Sequence, residues 1–492
     1  MILPIRIDRC QGAGLSDQIT AQISRLIFKG VLPPGRKLWS CRGLARDLGV
    51  AVNTVTSAYS RLETEELIEA RPRSGFFVSA KSGVHTDMPV RAHPPRPGGA
   101  PITAKLNRCA QTEKITTIQR PKDWRRYPYP FVCNQIDEAD FPVAEWRECS
   151  RIAMARKSVN LWSADGDNDD SPELIEQVNQ RVLPRRGIFA ETDSTLITLG
   201  SQNGIFLTSY LFGASGSVAA MEDPGYPDAR RILSANFGKV VAQPVDEEGL
   251  IVDERLRGVD LVYTTPNRQF PTGVTLSDRR RRELLEAAEA YDFYIIEDDY
   301  ACDVDFRPSP PMSLRASDTA DRVIYLGSLS KSLAPGLRLG YLNASPKFIA
   351  AARDCRSMVM RHPPFLLQHT AAVFLEQAFY DGLLLRKKRD QEERWNIASS
   401  ALGSQVSALK FTGAFGSTNF VACDPEAKLD AQTIASEAAS HGILVEPIWP
   451  CYQQEGAGRS RFRIGVSSIP RDRIAPGLDL LNSTIDALRS SL

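Results

Sequence analysis

The sequence has no apolar run of eighteen or more residues, so none of its 492 residues are read as a membrane span. Its start, MILPIRIDRCQG, lacks the long apolar core of a signal peptide. Nine cysteines are scattered singly with no C-x-x-C pair. That excludes a disulfide frame or a cysteine-built zinc site and points to reduced thiols in the cytoplasm. The five histidines, His85, His93, His362, His369 and His441, do not cluster, so no metal site is expected. A P-loop is also missing.

Net charge is small, +1, but unevenly spread. Residues 1–130 hold 21 Lys and Arg against 10 Asp and Glu, and the remainder holds 39 against 49. A basic front joined to an acidic body points to a front end that meets a polyanion. A solvated basic linker accounts for part of the excess. The length leaves room for one large and one small domain, or about three of ordinary size.

Residues 15–29, LSDQITAQISRLIFK, place Leu15, Ile19, Ile23, Leu26 and Ile27 on one helical face. Leu32-Pro33-Pro34-Gly35 breaks the chain. Ser40 is placed to cap a short helix over about 41–48, with Leu44 and Leu48 inward and Gly49 at its end. Asn53 or Thr54 then caps a further helix whose inward face is Val55, Tyr59 and Leu62. Two such helices joined by a tight turn read as helix-turn-helix. Two β-prone pieces follow, Leu67–Ala70 and Phe76–Val78, around a basic turn of Arg71, Pro72, Arg73, Ser74 and Gly75. The pattern is a small α+β winged helix over residues 1–80, suited to duplex DNA. Three-helix units also serve as plain interaction modules.

Residues 81–125 read as a linker, extended and poorly ordered, because MPVRAHPPRPGGAP has proline, glycine and arginine without periodicity. From 126 to 492, short apolar runs alternate with longer amphipathic ones, which predicts an α/β domain with a mostly parallel sheet.

Several chemistry-bearing motifs fall at strand ends in this second part. Thr195–Leu199 leads into Gly200-Ser201-Gln202, a helix start suited to a phosphate. Pro224-Gly225-Tyr226 presents an aromatic ring that could lie on a flat cofactor, although a surface turn also uses tyrosine. Phe293–Ile296 runs into Glu297-Asp298-Asp299-Tyr300. An acid there keeps a pyridine nitrogen protonated. A magnesium site is the other reading, disfavoured by the missing P-loop. In YLGSLSKSLAPGLRLGY, residues 325–341, a strand ends at Gly327, and Ser328, Ser330 and Lys331 follow, with Arg338 seven residues beyond Lys331. A desolvated lysine is a candidate Schiff-base amine, and hydroxyls with an arginine form a phosphate cup. Both together point to pyridoxal 5′-phosphate. Arg463, in the strand RFRIGV, is a candidate carboxylate fork, or an ordinary strand-end charge.

Residues 15–79 resemble the DNA-binding domain of the GntR family through L-x-P-G, S-x-R-x-L-A-x-x-L-G-V, N-T-V and R-P-x-S-G-x-F-V. The resemblance puts Ser40, Arg42, Asn53, Thr54 and Gly75 at DNA-contacting positions. The chain departs at Trp39, where proline is usual, and at Val52, where arginine is common. The strand-end motifs, in order, resemble the class I aminotransferase fold (fold type I) over about 126–490. The fusion of the two resembles the MocR/GabR-type bacterial regulators. By that resemblance Lys331 forms the internal aldimine, Asp298 pairs with the pyridine nitrogen, Tyr300 reaches the ring oxygen and Tyr226 stacks on the ring. Ser201, Gln202, Ser328 and Arg338 hold the phosphate, and Arg463 binds an effector carboxylate. Phe270 stands where the free enzymes carry asparagine, and Arg268 where the regulators often carry histidine. The implied function is a cytoplasmic, homodimeric regulator that binds an operator and senses an amino acid or amine through an external aldimine at Lys331. A working aminotransferase with a DNA-binding domain is the alternative, and a scaffold with a dead aminotransferase fold is a third. The stretch DNDDSPELIEQVNQRVLPRRGI resembles regulators of ectoine utilisation, which respond to diamino-acid derivatives.

Overall fold

The computed structural model describes Ile5, Ile7 and residues 14–72, 74–80, 115–163, 168–404 and 409–491. The chain divides into two units, Met1–Lys105 and Leu106–Leu492. Arg73 and residues 81–114, most of the expected linker, lie outside the described residues.

In the front unit, α1 (Leu15–Phe28) buries Ile19, Ile23 and Ile27, one turn apart on one face. α2 (Cys41–Leu48) starts at Ser40, whose hydroxyl oxygen accepts from the Gly43 N–H at 3.1 Å. It stops at Gly49, whose φ of 64° suits a residue without Cβ. α3 (Val52–Thr64) buries Val55, Ala58, Tyr59 and Leu62. Its cap is Ala51, with no side-chain bond, so the expected cap at Asn53 or Thr54 is corrected: both lie inside the first turn. The Val50 N–H bonds back to Ala45 at 3.0 Å, which shortens the turn and starts the helix early. β1 (Ile68–Arg71) and β2 (Gly75–Val78) pair antiparallel as the wing. The Tyr59 hydroxyl donates to the Trp39 carbonyl at 3.0 Å, tying α3 to the segment before α2.

The large unit is built on an eight-stranded sheet. After the short β3 (Tyr129–Pro130), the sheet contains β4 (Thr195–Thr198), β5 (Val218–Asp223), β6 (Lys239–Asp246), β7 (Gly249–Leu250), β8 (Leu261–Thr264), β9 (Tyr294–Asp298), β10 (Val323–Ser328) and β11 (Gly340–Asn343). Their spatial order is β4-β11-β10-β9-β8-β5-β6-β7. Only β11 and β7 run against the rest. Helices cover both faces, so β4, β8, β10 and β11 are buried at every position. Leu261 and Tyr263 face the core under Ser201–Phe212 and Pro346–Ser357, while Val262 faces the core under Asp278–Tyr291. A second sheet of four strands near the C-terminus includes Arg461–Gly465.

Two expectations are revised here. Gly327 does not end its strand: it lies inside β10, paired with Tyr341, and a Cβ there would come 2.1 Å from that ring. Residues 115–125, read as linker, are packed on the large unit. Trp124 is buried, and Arg120 bonds Glu446 and the Cys133 carbonyl. A buried acid awaiting a cation overrides a composition that promised extension.

Candidate functional site

The carboxyl ends of β4, β5, β8, β9 and β10 open on one side of the sheet, where α/β folds bind ligands. A single cavity there gathers Ser201, Gln202, Tyr226, Asp298, Tyr300, Ser328, Lys331 and Arg338, which come from four separate stretches of chain. Asn134, Tyr263 and Thr265 also line it, and sequence reasoning had missed them. Tyr263 sits in the fully buried run Leu261–Thr264, where an aromatic reads as core. Asn134 carries no local motif, and its only unusual feature is a φ of 59°.

The proposed phosphate end is set by close backbone approach. Gly200 has φ 79°, and a Cβ on Gly340 would stand 2.7 Å from the Gly200 Cα. With both positions bare, Arg338 reaches alongside the start of helix Ser201–Phe212. Its guanidinium donates to Gln202 Oε1 at 3.5 Å. The free N–H groups of that helix start and the guanidinium together suit a phosphate.

The three acids at the carboxyl end of β9, Glu297 and Asp298 within it and Asp299 just after, have separate partners. Glu297 accepts from the backbone of Leu314 and Arg315, at 2.8 and 3.0 Å. Asp299 pairs with buried Arg186 at 2.7 Å and accepts from the Tyr325 hydroxyl at 2.9 Å. Asp298 accepts from the Tyr263 hydroxyl at 2.8 Å through one oxygen, and its other oxygen is buried with no partner. Burial is the main force lifting the Asp298 pKa to about 7; the Tyr263 bond opposes it and Asp299 adds to it. The half-buried Lys331 amine is lowered to about 8, first by desolvation and then by the Arg463 charge. Behind them, buried Glu222 takes the hydroxyls of Thr264 and Thr265, both at 2.6 Å, and fixes the loop after β8. No group of three His, Cys, Asp or Glu side chains able to hold a metal occurs among the described residues.

These residues fit pyridoxal 5′-phosphate. The orphaned Asp298 oxygen could accept from a protonated ring nitrogen, Lys331 is an amine whose proton is loosened by desolvation, and the opposite end suits a phosphate. A wider open cleft around Arg230, Trp449 and Tyr452 has no lysine on its lining.

Arg463 lies behind the cavity rather than on its lining. Its guanidinium stands 4.6 Å from the Phe270 ring centroid, and its Nε donates to Glu446 at 2.8 Å. Glu446 also takes Arg120 from the segment that leads toward the front unit in sequence. Arg268 is held by the Gly416 carbonyl and lies 3.9 Å from Asp305, also off the lining.

In the front unit, Ser40, Arg42, Asn53 and Gly75 are exposed and Thr54 is half-buried. Arg42 makes no ion pair among the described residues. Lys37 and Arg71 both approach the Phe77 ring of the wing, at 5.8 and 4.4 Å.

Residues 15–78 match the family described as bacterial regulatory proteins, gntR family, and residues 139–479 match aminotransferase class I and II. The chain is 38% identical over 464 residues to the HTH-type transcriptional regulator TauR of Rhodobacter capsulatus, covering 94% of this chain and 95% of that protein. It is 27% identical to the HTH-type pyridoxine biosynthesis transcriptional regulator PdxR of Corynebacterium glutamicum, covering 88% and 89%. Among solved structures, it is similar to LysN, the alpha-aminoadipate aminotransferase of Thermus thermophilus. The TM-score is 0.71 at 23% identity, covering 80% of this chain and all of that one.

Proposed function

We propose that this chain, which belongs to the aminotransferase class I and II family and carries a gntR-family regulatory domain at its front, is a pyridoxal 5′-phosphate-dependent transcription regulator of the MocR type. Its operator is duplex DNA and its effector is an amino acid or amine. It works as a cytoplasmic homodimer, since two-fold symmetric proteins read paired half-sites. The observation that carries the reading is the pairing, in one cavity, of the Lys331 amine with the open Asp298 oxygen, on a chain that also bears a winged helix.

The cofactor, when bound, supplies an aldehyde that condenses reversibly with amines and a ring that draws electrons when its nitrogen is protonated. Asp298 holds the proton at that nitrogen, and Tyr263 fixes the carboxylate's orientation. Ser201, Gln202, Ser328 and Arg338 would hold the phosphate, Tyr226 would lie against the ring, and Tyr300 would reach its oxygen. Lys331 would supply the amine that captures the cofactor's aldehyde, and an effector amine would compete with it. Arg463, held against the Phe270 ring that lines the cavity, would receive the effector's carboxylate in competition with Glu446. Glu446 also anchors Arg120, so that exchange reaches the stretch of chain leaving for the front unit. Sensing of this kind needs only different effector affinities in two conformations.

The complete lysine and acid set favours a second reading, a working aminotransferase with a DNA-binding domain. One experiment separates the two. The full-length protein, loaded with cofactor, is titrated with a panel of amino acids and amines. Absorbance, operator affinity and keto-acid production are read on the same sample. We expect an absorbance change and a shift in operator affinity that Arg120→Ala uncouples from each other. Rapid multiple turnover with unchanged operator affinity would overturn the regulator reading.

A further inference from the structure

We propose that Val52 reads a thymine methyl group in each operator half-site, beside an adenine read by Asn53. This rests on the reading of the front unit as a DNA-binding winged helix, whose second helix of the pair, α3, enters the major groove.

Val52 opens α3 and is 43% exposed, while the helix's other apolar side chains, Val55, Ala58, Tyr59 and Leu62, are buried. An apolar β-branched residue in water at a helix start does nothing for the core. It heads a stripe of Val52, Asn53, Thr56, Ser57 and Ser60, residues spaced to share one helical face, all exposed and none charged. The helix's single cation, Arg61, lies at its far end and is engaged by Asp17 of α1 at 2.5 Å. The Thr56 hydroxyl donates to the Val52 carbonyl at 3.0 Å, so its hydrogen is spent inside the helix. At its leading end, the stripe therefore offers base edges methyl groups and the Asn53 amide.

That combination selects bases. In the major groove the thymine C5-methyl is the apolar feature, and an Asn amide matches adenine N6 and N7. Guanine calls for an Arg or Lys fork, which this face does not carry. The exposed Arg42 on α2 then serves the phosphates, which position the protein without reading sequence. Replacing the arginine common at position 52 by valine thus exchanges one base preference for another instead of deleting a contact.

The test uses the full-length chain and a pool of randomised duplexes, enriched in parallel for the parent, Val52→Ala and Val52→Arg proteins. The parent should enrich a T·A pair at one position of each half-site. Val52→Ala should lose that preference, and Val52→Arg should turn it toward guanine. Writing uracil for that thymine removes only the methyl group. It should weaken the parent about fourfold, the worth of one buried methyl, and leave Val52→Ala indifferent. Equal parent binding to thymine and uracil at every enriched position, or the same enriched sequence for Val52→Ala, would overturn the proposal while leaving the winged-helix reading intact. If no duplex were enriched by the parent at all, the DNA-binding reading would fall and this proposal with it.

Discussion

Replacing Asp298 with asparagine should move stability and cofactor affinity in opposite directions. Without cofactor, the carboxylate is 4% exposed, with one oxygen on Tyr263 and the other unpartnered. Its pKa rises from 3.8 to about 7, mainly through burial. The folded protein therefore binds this proton more tightly than the unfolded chain, and stability falls as pH climbs from about 4 to about 7. Above that window the cost is roughly three pH units at about 1.4 kcal/mol each, on the order of 4 kcal/mol. Asparagine keeps an acceptor for the Tyr263 hydroxyl and brings no charge to bury. The cofactor-free variant should melt roughly 5 °C above the parent at pH 8, and the gap should close toward pH 4. Cofactor binding should suffer instead. A hydrogen bond to a charged group contributes about 1.5–3 kcal/mol, so affinity should drop about 10- to 100-fold. Thermal melts across pH on cofactor-free protein, with a pyridoxal 5′-phosphate titration at pH 8, read both arms. A variant less stable than the parent at pH 8, or one with unchanged cofactor affinity, would refute the argument that this acid is strained until the ring nitrogen arrives.

Lys331→Ala should abolish borohydride fixation of the cofactor. In the parent, capture should speed up as pH rises through about 8, where the lowered amine loses its proton; a flat profile would contradict this. Arg42→Ala should weaken binding to operator and unrelated DNA alike and reduce the salt slope by about one. A loss confined to the operator would mean that Arg42 reads bases. Gly327→Ala should cost about 3 kcal/mol or more through overpacking, because the new Cβ would meet the fully buried Tyr341 ring at 2.1 Å. An unchanged melting temperature would show that the ring can move.

The parts legible in the sequence were those where a motif sits at the end of a periodic element. The strand before Lys331 and the strand before Asp298 announced themselves as apolar runs, and the polar residues after them had nowhere to go but the sheet's carboxyl edge. The winged helix was legible because Ser40, Gly49 and the wing turn punctuate it. What stayed hidden depended on partners distant in sequence. Glu297, Asp298 and Asp299 look alike in a row, and only Arg186, Tyr325 and the backbone at 314–315 show which acid is left open. Tyr263 was masked by its strand, since an aromatic in a buried run reads as core. Gly327 looked like a stop because glycine punctuates turns, whereas the requirement came from a tyrosine on the neighbouring strand. The residues around Arg120 looked like linker because composition does not reveal that Glu446 is buried and needs two cations.

Phe270 and Arg268 bear on why such a cavity would sense more readily than it turns over. Phe270 is 5% exposed, edge-on to Tyr226 at 5.2 Å and to Tyr300 at 6.4 Å. It fills its place with a ring that has no donor, where an asparagine amide would hydrogen-bond the cofactor's ring oxygen. Arg268 is tied to the Gly416 carbonyl and lies near Asp305, so its charge is engaged by the protein's own loops. Neither change touches Lys331, Asp298 or the phosphate end. In the proposed reading, the groups that would capture and exchange an amine are kept, while the surroundings that would help an enzyme accelerate later proton transfers are reduced. A sensor responds through equilibrium populations and an enzyme through barrier heights. Substitutions that spare the binding groups and weaken the rate-assisting ones leave the first almost whole and diminish the second.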